Sequence, residues 1–193
     1  MIGIPLALVV ANASEWLLHK HVLHKLGRDK KSVWAFHWYE HHGNSRRNGM
    51  ADPTYARFPI GQHAQGKELA ALVGLGLLTL PLAPIAPFYT GTALYCIAEY
   101  YFKHRRAHED PAWARAHLPW HYDHHMGPNQ HANWCVVRPW MDNWMGTREP
   151  YVGTDKEESD RKRRAARAAK ATAPAVSESE DGSQVLASVS YGT

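Results

Sequence analysis

Fourteen of the 193 residues are histidine, and ten of them fall into four groups. His19 and His24 stand in HKHVLH, and His37, His41 and His42 in HWYEHH. His104 and His108 stand in HRRAH, and His121, His124 and His125 in HYDHH. Neutral imidazole is a ligand for iron, zinc, copper or nickel. So many rings exceed the needs of one ion and suit two ions with four or five ligands each. On an α-helix, side chains four apart leave one face about 6 Å from each other. His37 with His41, His104 with His108, and His121 with His125 have that spacing; His121 and His124 are three apart on the same face. His19 and His24 are five apart, about 140° round an ideal helix. Either the helix ends between them or each serves a different ion, and His21 is a rival ligand. The other histidines, His63, His117 and His131, are read as ordinary polar side chains.

Metal-bound imidazoles are usually oriented through their second ring nitrogen. The carboxylates expected in that role are Glu15, Glu99 and Asp123, with Glu40 and Asp110 as further candidates. Glu15 and Glu99 lie near the ends of apolar segments, where an unpaired carboxylate is costly.

The elements that position these residues are read as helices. Residues 2–18 are mostly apolar and lead straight into His19. Ala11-Asn12-Ala13 looks like a signal-peptidase site, but no basic region precedes the run, and its periodicity continues through Trp16, Leu17 and Leu18. It is therefore read as a short membrane helix. Residues 68–102 form a second apolar stretch, divided by Pro81, Pro84 and Pro87 into a helical hairpin, spanning or re-entrant. The mean hydropathy of −0.47 favours a buried hairpin in a soluble bundle, yet the polar tail and histidine segments lower that average. Lysine and arginine are dense after the first run and after the hairpin and absent between Leu69 and Phe102. By the positive-inside rule, the histidine clusters face the cytoplasm. Eight tryptophans suit a membrane interface. The net charge of +4 is too mild to call for nucleic acid. Cys96 and Cys135 sit in unlike settings and form neither a disulfide framework nor a zinc pattern. The expected organisation is all-α: one N-terminal membrane helix, a helical hairpin and a cytosolic helical cap within residues 1–152. A charged tail, 153–193, follows, with a solvated helix over Asp155–Lys170 and disorder from 171 onward.

In order, the boxes HX4H, HX3HH, HX3H and HX2HH around a hydrophobic hairpin resemble the fatty acid hydroxylase/sterol desaturase superfamily. The stretch GPNQHANWCVVRPWMDNWMGTREPY looks like that family's ending through Asn133-Trp134, Asp142 and Gly146-Thr147. The resemblance covers about residues 14–150. It implies a non-haem di-iron centre, in which zinc can substitute on purification, held by His19, His24, His37, His41, His42, His104, His108, His121, His124 and His125. It also implies an O2-dependent monooxygenase that hydroxylates a fatty acyl or sterol-like lipid. Two departures stand out. The second box has three residues between its first two histidines, where the hydroxylases more often have two. The chain also lacks the haem-binding domain of some relatives, so electrons come from a separate ferredoxin- or cytochrome-type donor. A carotenoid ring hydroxylase would use the same chemistry. A non-catalytic membrane metal-binding protein is the rival of another class. A zinc hydrolase would need HEXXH, which is absent.

Overall fold

The structure, a computed structural model, describes residues 2–172. It is all-helical, with no strand among the described residues. Contacts divide the chain into two compact units, Met1–Glu157 and Glu158–Thr193.

In the first unit, α1 (Gly3–Leu17) runs without a break into a π-helix, π1 (Leu18–Leu26). A second π-helix, π2 (Phe36–His42), continues into α2 (Gly43–Arg47). The hairpin consists of α3 (Ala64–Thr79), a 3-10 turn over Leu80–Leu82, and α4 (Pro87–Glu109). Three short helices follow: α5 (Pro111–His117), α6 (Pro119–Met126) and α7 (Trp140–Trp144). Helices α4, α5 and α6 each begin with proline, whose fixed φ suits the first helical position and whose missing N–H would be unpaired there anyway. Helix α1 packs chiefly against α4, and α3 against α4.

Polar and apolar residues are distributed unusually. Ten buried histidines occupy the middle of the unit. The larger apolar cluster beside them holds only Met50, Ala107, Ala114, Leu118, Tyr122, Met126 and Tyr151. Large apolar side chains of α1, α3 and α4 point outward instead, among them Leu6, Val9, Leu77, Leu78, Phe88 and Phe102.

The irregular segment after α6 is fixed by side chains rather than by a ladder. Asp142 accepts hydrogen bonds from the backbone N–H groups of Trp134 and Cys135, both at 2.8 Å, and from the Thr147 hydroxyl at 2.7 Å. Glu15 accepts from Val136 N–H and, at 2.8 Å, from Val137 N–H. Asn12 bonds Arg138 O and Met141 N–H, and the Trp16 indole bonds Thr147 Oγ1. Asn133 (φ 59°) and Gly146 (φ 66°) supply the left-handed turns the segment needs. The end of α1 is thereby riveted to the loop that carries Trp134.

No helix among the described residues is long and apolar enough to cross a membrane. The expected spanning helices are therefore corrected. At 1.5 Å per residue, α1 with 15 residues reaches roughly 22 Å, short of the ~30 Å hydrocarbon layer. Helix α4 has 23 residues, but its last turns read KHRRAHE.

The first unit runs past the expected boundary at 152, because Arg115 grips Glu157 through Nε at 2.6 Å and Nη2 at 2.8 Å. Helix α8 (Asp155–Thr172) is highly charged; in the second unit it carries the pairs Lys162–Glu158 at 2.6 Å and Arg163–Asp160. The disorder expected further along the tail lies outside the described residues.

Glu15→Ala leaves two buried backbone donors, at Val136 and Val137, without acceptors, a loss of about 2–4 kcal/mol. Thermal unfolding followed by circular dichroism should show a midpoint several degrees lower; an unchanged midpoint would mean that this rivet is not structural.

Candidate metal centre

The two π-helices decide which histidines meet. An i→i+5 repeat widens the turn so that residues five apart share a face. His19 and His24 on π1 then lie side by side, ring centroids 4.9 Å apart. His37 and His42 on π2 do the same at 4.9 Å. The ideal-helix expectation that His19 and His24 diverge is thus corrected. On the regular helices, His104 with His108 and His121 with His125 pair at i, i+4, with centroids 4.7 Å apart in each case. Two pairs on shared helix faces serve different clusters: His37 and His41, with ring centroids 5.2 Å apart, and His121 and His124, at 6.4 Å.

The result is two clusters. The first is His19, His24, His37, His42 and His124; the second is His41, His104, His108 and His125. Within each, one ligand atom per residue lies within 4.8 Å of all the others. His121 completes the second, its Nε2 3.1 Å from His108 Nε2. The clusters adjoin: His42 of the first stacks on His125 of the second at 4.4 Å. All ten rings are buried. His21 is not in either cluster. It meets Trp16 edge-on, His63 caps α3, His117 stacks on Trp113, and His131 stacks on Trp38.

Six rings have their tautomer set from behind. His19 Nδ1–H donates to Trp134 O at 2.5 Å, His124 to Ala132 O at 2.7 Å, and His108 to Met50 O at 2.8 Å. His42 meets Gln130 Oε1 at 3.0 Å, His41 meets Asp52 Oδ2 at 3.0 Å, and His104 meets Glu68 Oε1 at 2.9 Å. Each therefore presents a bare Nε2 inward. Met50 holds φ 90° to aim its carbonyl, a conformation disfavoured for a side chain with Cβ.

These bare nitrogens face one another. His104 and His108 Nε2 are 3.2 Å apart, and with both protons on Nδ1 neither can donate. His24, His42 and His124 Nε2 form a triangle with edges of 3.0, 3.1 and 3.2 Å. His19 and His37 Nε2 are 3.0 Å apart. Protonation does not relieve the crowding. Burial first, and neighbouring imidazoles second, push His37, His41, His108, His121 and His125 well below the ordinary imidazole range. Burial lowers His19 to about 4. His41 Nε2 and both nitrogens of His125 are buried without a partner. A cation bound among the nitrogens would satisfy His41 Nε2 and one nitrogen of His125. Bonds of about 2.0–2.1 Å set adjacent donors roughly 2.8–3.0 Å apart in an octahedron and roughly 3.3–3.4 Å apart in a tetrahedron. The contacts of 3.0–3.2 Å fall between the two, the spacing that a shared cation would hold. The residues present could hold a metal ion in each cluster, five rings in the first and four, with His121 beside them, in the second.

The two clusters differ in charge. Carboxylates of Asp52 and Glu68 stand behind the second, on His41 and His104. Behind the first are only neutral oxygens, and no carboxylate among the described residues hydrogen-bonds its rings.

The carboxylates expected to orient the rings have other partners. Glu15 holds Val136 and Val137; Glu99 pairs with Arg138 at 2.7 Å and Lys103 at 2.8 Å; Asp123 pairs with Arg148 at 2.7 Å. Glu40 caps Ala64 N–H and Asp110 caps Trp113 N–H. Glu15 still acts at one remove, because the loop it fixes carries the carbonyl that orients His19. Sequence reasoning missed Asp52, Glu68 and Gln130. Glu68 carried a usable signal, being an acid at the head of an apolar stretch, like Glu15 and Glu99. Asp52 and Gln130 lie in irregular segments with no periodicity to mark them.

Compared with known proteins, the chain matches no family model, no curated protein and no solved structure.

Two metals per chain are expected by elemental analysis, and a chelator should strip the first cluster before the second. Asp52→Asn or Glu68→Gln should weaken the tighter site about 10–100-fold. Equal release from both sites in the parent would contradict the charge asymmetry. The depressed folded pKa values also fix a pH trend. The unfolded chain takes up protons near pH 6.5 while the folded rings resist. Stability of the chelator-stripped chain is thus full above that pH and falls as pH drops toward 4. Melting temperatures that stay flat from pH 7.5 to 5 would refute it.

Proposed function

We propose that the protein is a membrane-bound di-iron oxygenase that hydroxylates a lipid with O2 and external electrons. The observation that carries this reading is a cavity of about 630 Å³ that ends on the first cluster. Its walls are the apolar faces of α1, π1, α3 and α4, and His19 and His37 stand among its lining residues. Sites for small molecules span roughly 300–1,000 Å³. A mostly apolar lining, with Ala7, Val22, Leu72, Leu75 and Ile97 in it and Glu15, Glu68 and Arg138 as its charged members, suits an alkyl chain or ring system.

Iron is the proposed metal because imidazole suits it and because the four histidine boxes resemble those of di-iron oxygenases. Bound irons would supply activation of dioxygen, so that one oxygen atom enters a C–H bond and the other leaves as water. The chain's residues do the rest. The apolar wall excludes water and holds a methylene against the His19–His37 side of the centre. The oxygens behind the rings keep each Nε2 turned inward. Asp52 and Glu68 offset the charge of the second ion, leaving the ion nearest the cavity the less neutralised of the two. Tyr55 donates to Glu68 and also lies 3.3 Å from His104 Nδ1, so the carboxylate is held from two sides.

Membrane attachment is supported by the outward apolar side chains of α1, α3 and α4. These helices embed in one leaflet without crossing, each satisfying its own backbone. The basic residues Lys103, Arg105 and Arg106 then lie at the cytoplasmic surface with the histidine clusters. A non-catalytic metal carrier is less well supported, because the clusters are closed by buried hydrogen bonds and open toward an apolar cavity.

Anaerobic loading should give about two irons per chain. The loaded protein in lipid vesicles, supplied with a reductant, should consume O2 and hydroxylate a fatty acyl, sterol or carotenoid test lipid. His124→Ala should abolish both metal retention and turnover. A single firmly held zinc with no O2 uptake would end the proposal. Gly74 lines the cavity, and a Cβ there meets nothing within 4 Å. Gly74→Phe should therefore keep the metal yet lower turnover of a long-chain substrate at least tenfold, read by product mass spectrometry; unimpaired turnover would move the substrate out of this cavity.

A further inference from the structure

Helix π1 has two functional sides. Leu18, His19, Val22 and Leu23 face the apolar cavity. On its other side lies a second cleft, of about 470 Å³. Lys20, Lys25 and Arg28 stand on this cleft, and His24 and Trp134 line it with them. His24 alone of the ten clustered rings does so. Among the described residues, no carboxylate pairs with any of the three cations. Lys20 instead lies over Trp16 at 4.2 Å, and Arg28 over Trp38 at 5.1 Å. Three cations without counter-charges, two of them held on aromatic faces, attract a negatively charged partner. The cleft is too polar for the alkyl chain, which has its own cavity across the helix.

We propose that this cleft is the docking surface for an acidic one-electron carrier protein, and that its electrons enter the first cluster through His24. The proposal rests on the oxygenase reading, which creates the need for electrons. Per turnover, two reduced carriers each lose one electron. With two protons and O2, these convert one C–H bond to C–OH and release one water. The geometry separates the reactants: substrate approaches through the cavity wall at His19 and His37, and the reductant through the opposite side of π1. Trp134, 4.8 Å from His24 between ring centroids, joins that ring to the cleft floor.

The test uses the full iron-loaded chain in vesicles and an acidic [2Fe–2S] ferredoxin as probe. Binding is measured by titration calorimetry and reduction by stopped-flow absorbance, both at low ionic strength. Charge reversal at K20E/K25E/R28E should weaken binding at least tenfold, slow reduction by the ferredoxin at least tenfold and flatten its salt dependence. Electrochemical reduction through an uncharged mediator should be unchanged. The equal reversal R161E/R167E/K170E on α8 should alter neither measurement. The proposal is overturned if the parent does not bind the ferredoxin or if the K20E/K25E/R28E protein is reduced as fast as the parent. It is also overturned if that variant loses only its affinity for anionic vesicles, which would assign the cations to the membrane. If the parent, reduced through the mediator, forms no product from lipid and O2, the oxygenase reading itself fails.

Discussion

Ten buried imidazoles are pressed together, six of them with a lone pair turned inward, and the architecture of the first unit exists to hold them there. The contacts His104–His108 and His42–His124, both 3.2 Å between Nε2 atoms, are closer than two bare acceptors accept without a cation between them. Burial disfavours imidazolium at His37, His41, His108, His121, His124 and His125, and six rings stay aimed because backbone carbonyls, carboxylates and the Gln130 amide fix their far nitrogens. The loop after α6 illustrates how many parts this requires. Glu15, Asn12, Trp16 and Asp142 bind that loop to α1, and the loop in turn presents Trp134 O to His19.

The assignment of rings to clusters follows from helical pitch. The π-helical segments send their five-apart pairs to the first cluster, and the α-helical segments send their four-apart pairs to the second. Each cluster then borrows one ring from the other kind of helix: His124 crosses from α6 to the first, and His41 from π2 to the second. These two exchanges tie the amino-terminal and carboxy-terminal halves of the unit together at the centre. Loss of either ring removes a ligand and a tertiary link at once.

Function, as proposed, uses the same inequality of surroundings. The first cluster touches the apolar cavity on one side of π1 and the basic cleft on the other, while the second lies deeper against Asp52, Glu68, Tyr55 and the small apolar core. One face of a nine-residue π-helix thus receives substrate, and the opposite face receives charge. The outward leucines and phenylalanines of α1, α3 and α4 suit a lipid-facing role that their lengths do not extend to a full crossing.

By itself the sequence determined which residues could hold metal and most of the scaffold. Histidines grouped at helical spacings beyond apolar runs identify a dimetal-capable, all-helical protein, and the three hairpin prolines mark where α3 gives way to α4. It did not reveal how the rings divide. The difference between a repeat of four and of five is made by tertiary packing, which no local propensity records. Nor did it reveal the groups that orient the rings. Spacing favoured Glu15, Glu99 and Asp123, whereas folding brought up Asp52 and Glu68, together with carbonyls of Met50, Ala132 and Trp134 that have no side-chain signature at all. Ligands can be read from residue type, because only certain side chains bind metal. Their supports cannot, because any backbone oxygen brought to the right place by the fold can serve.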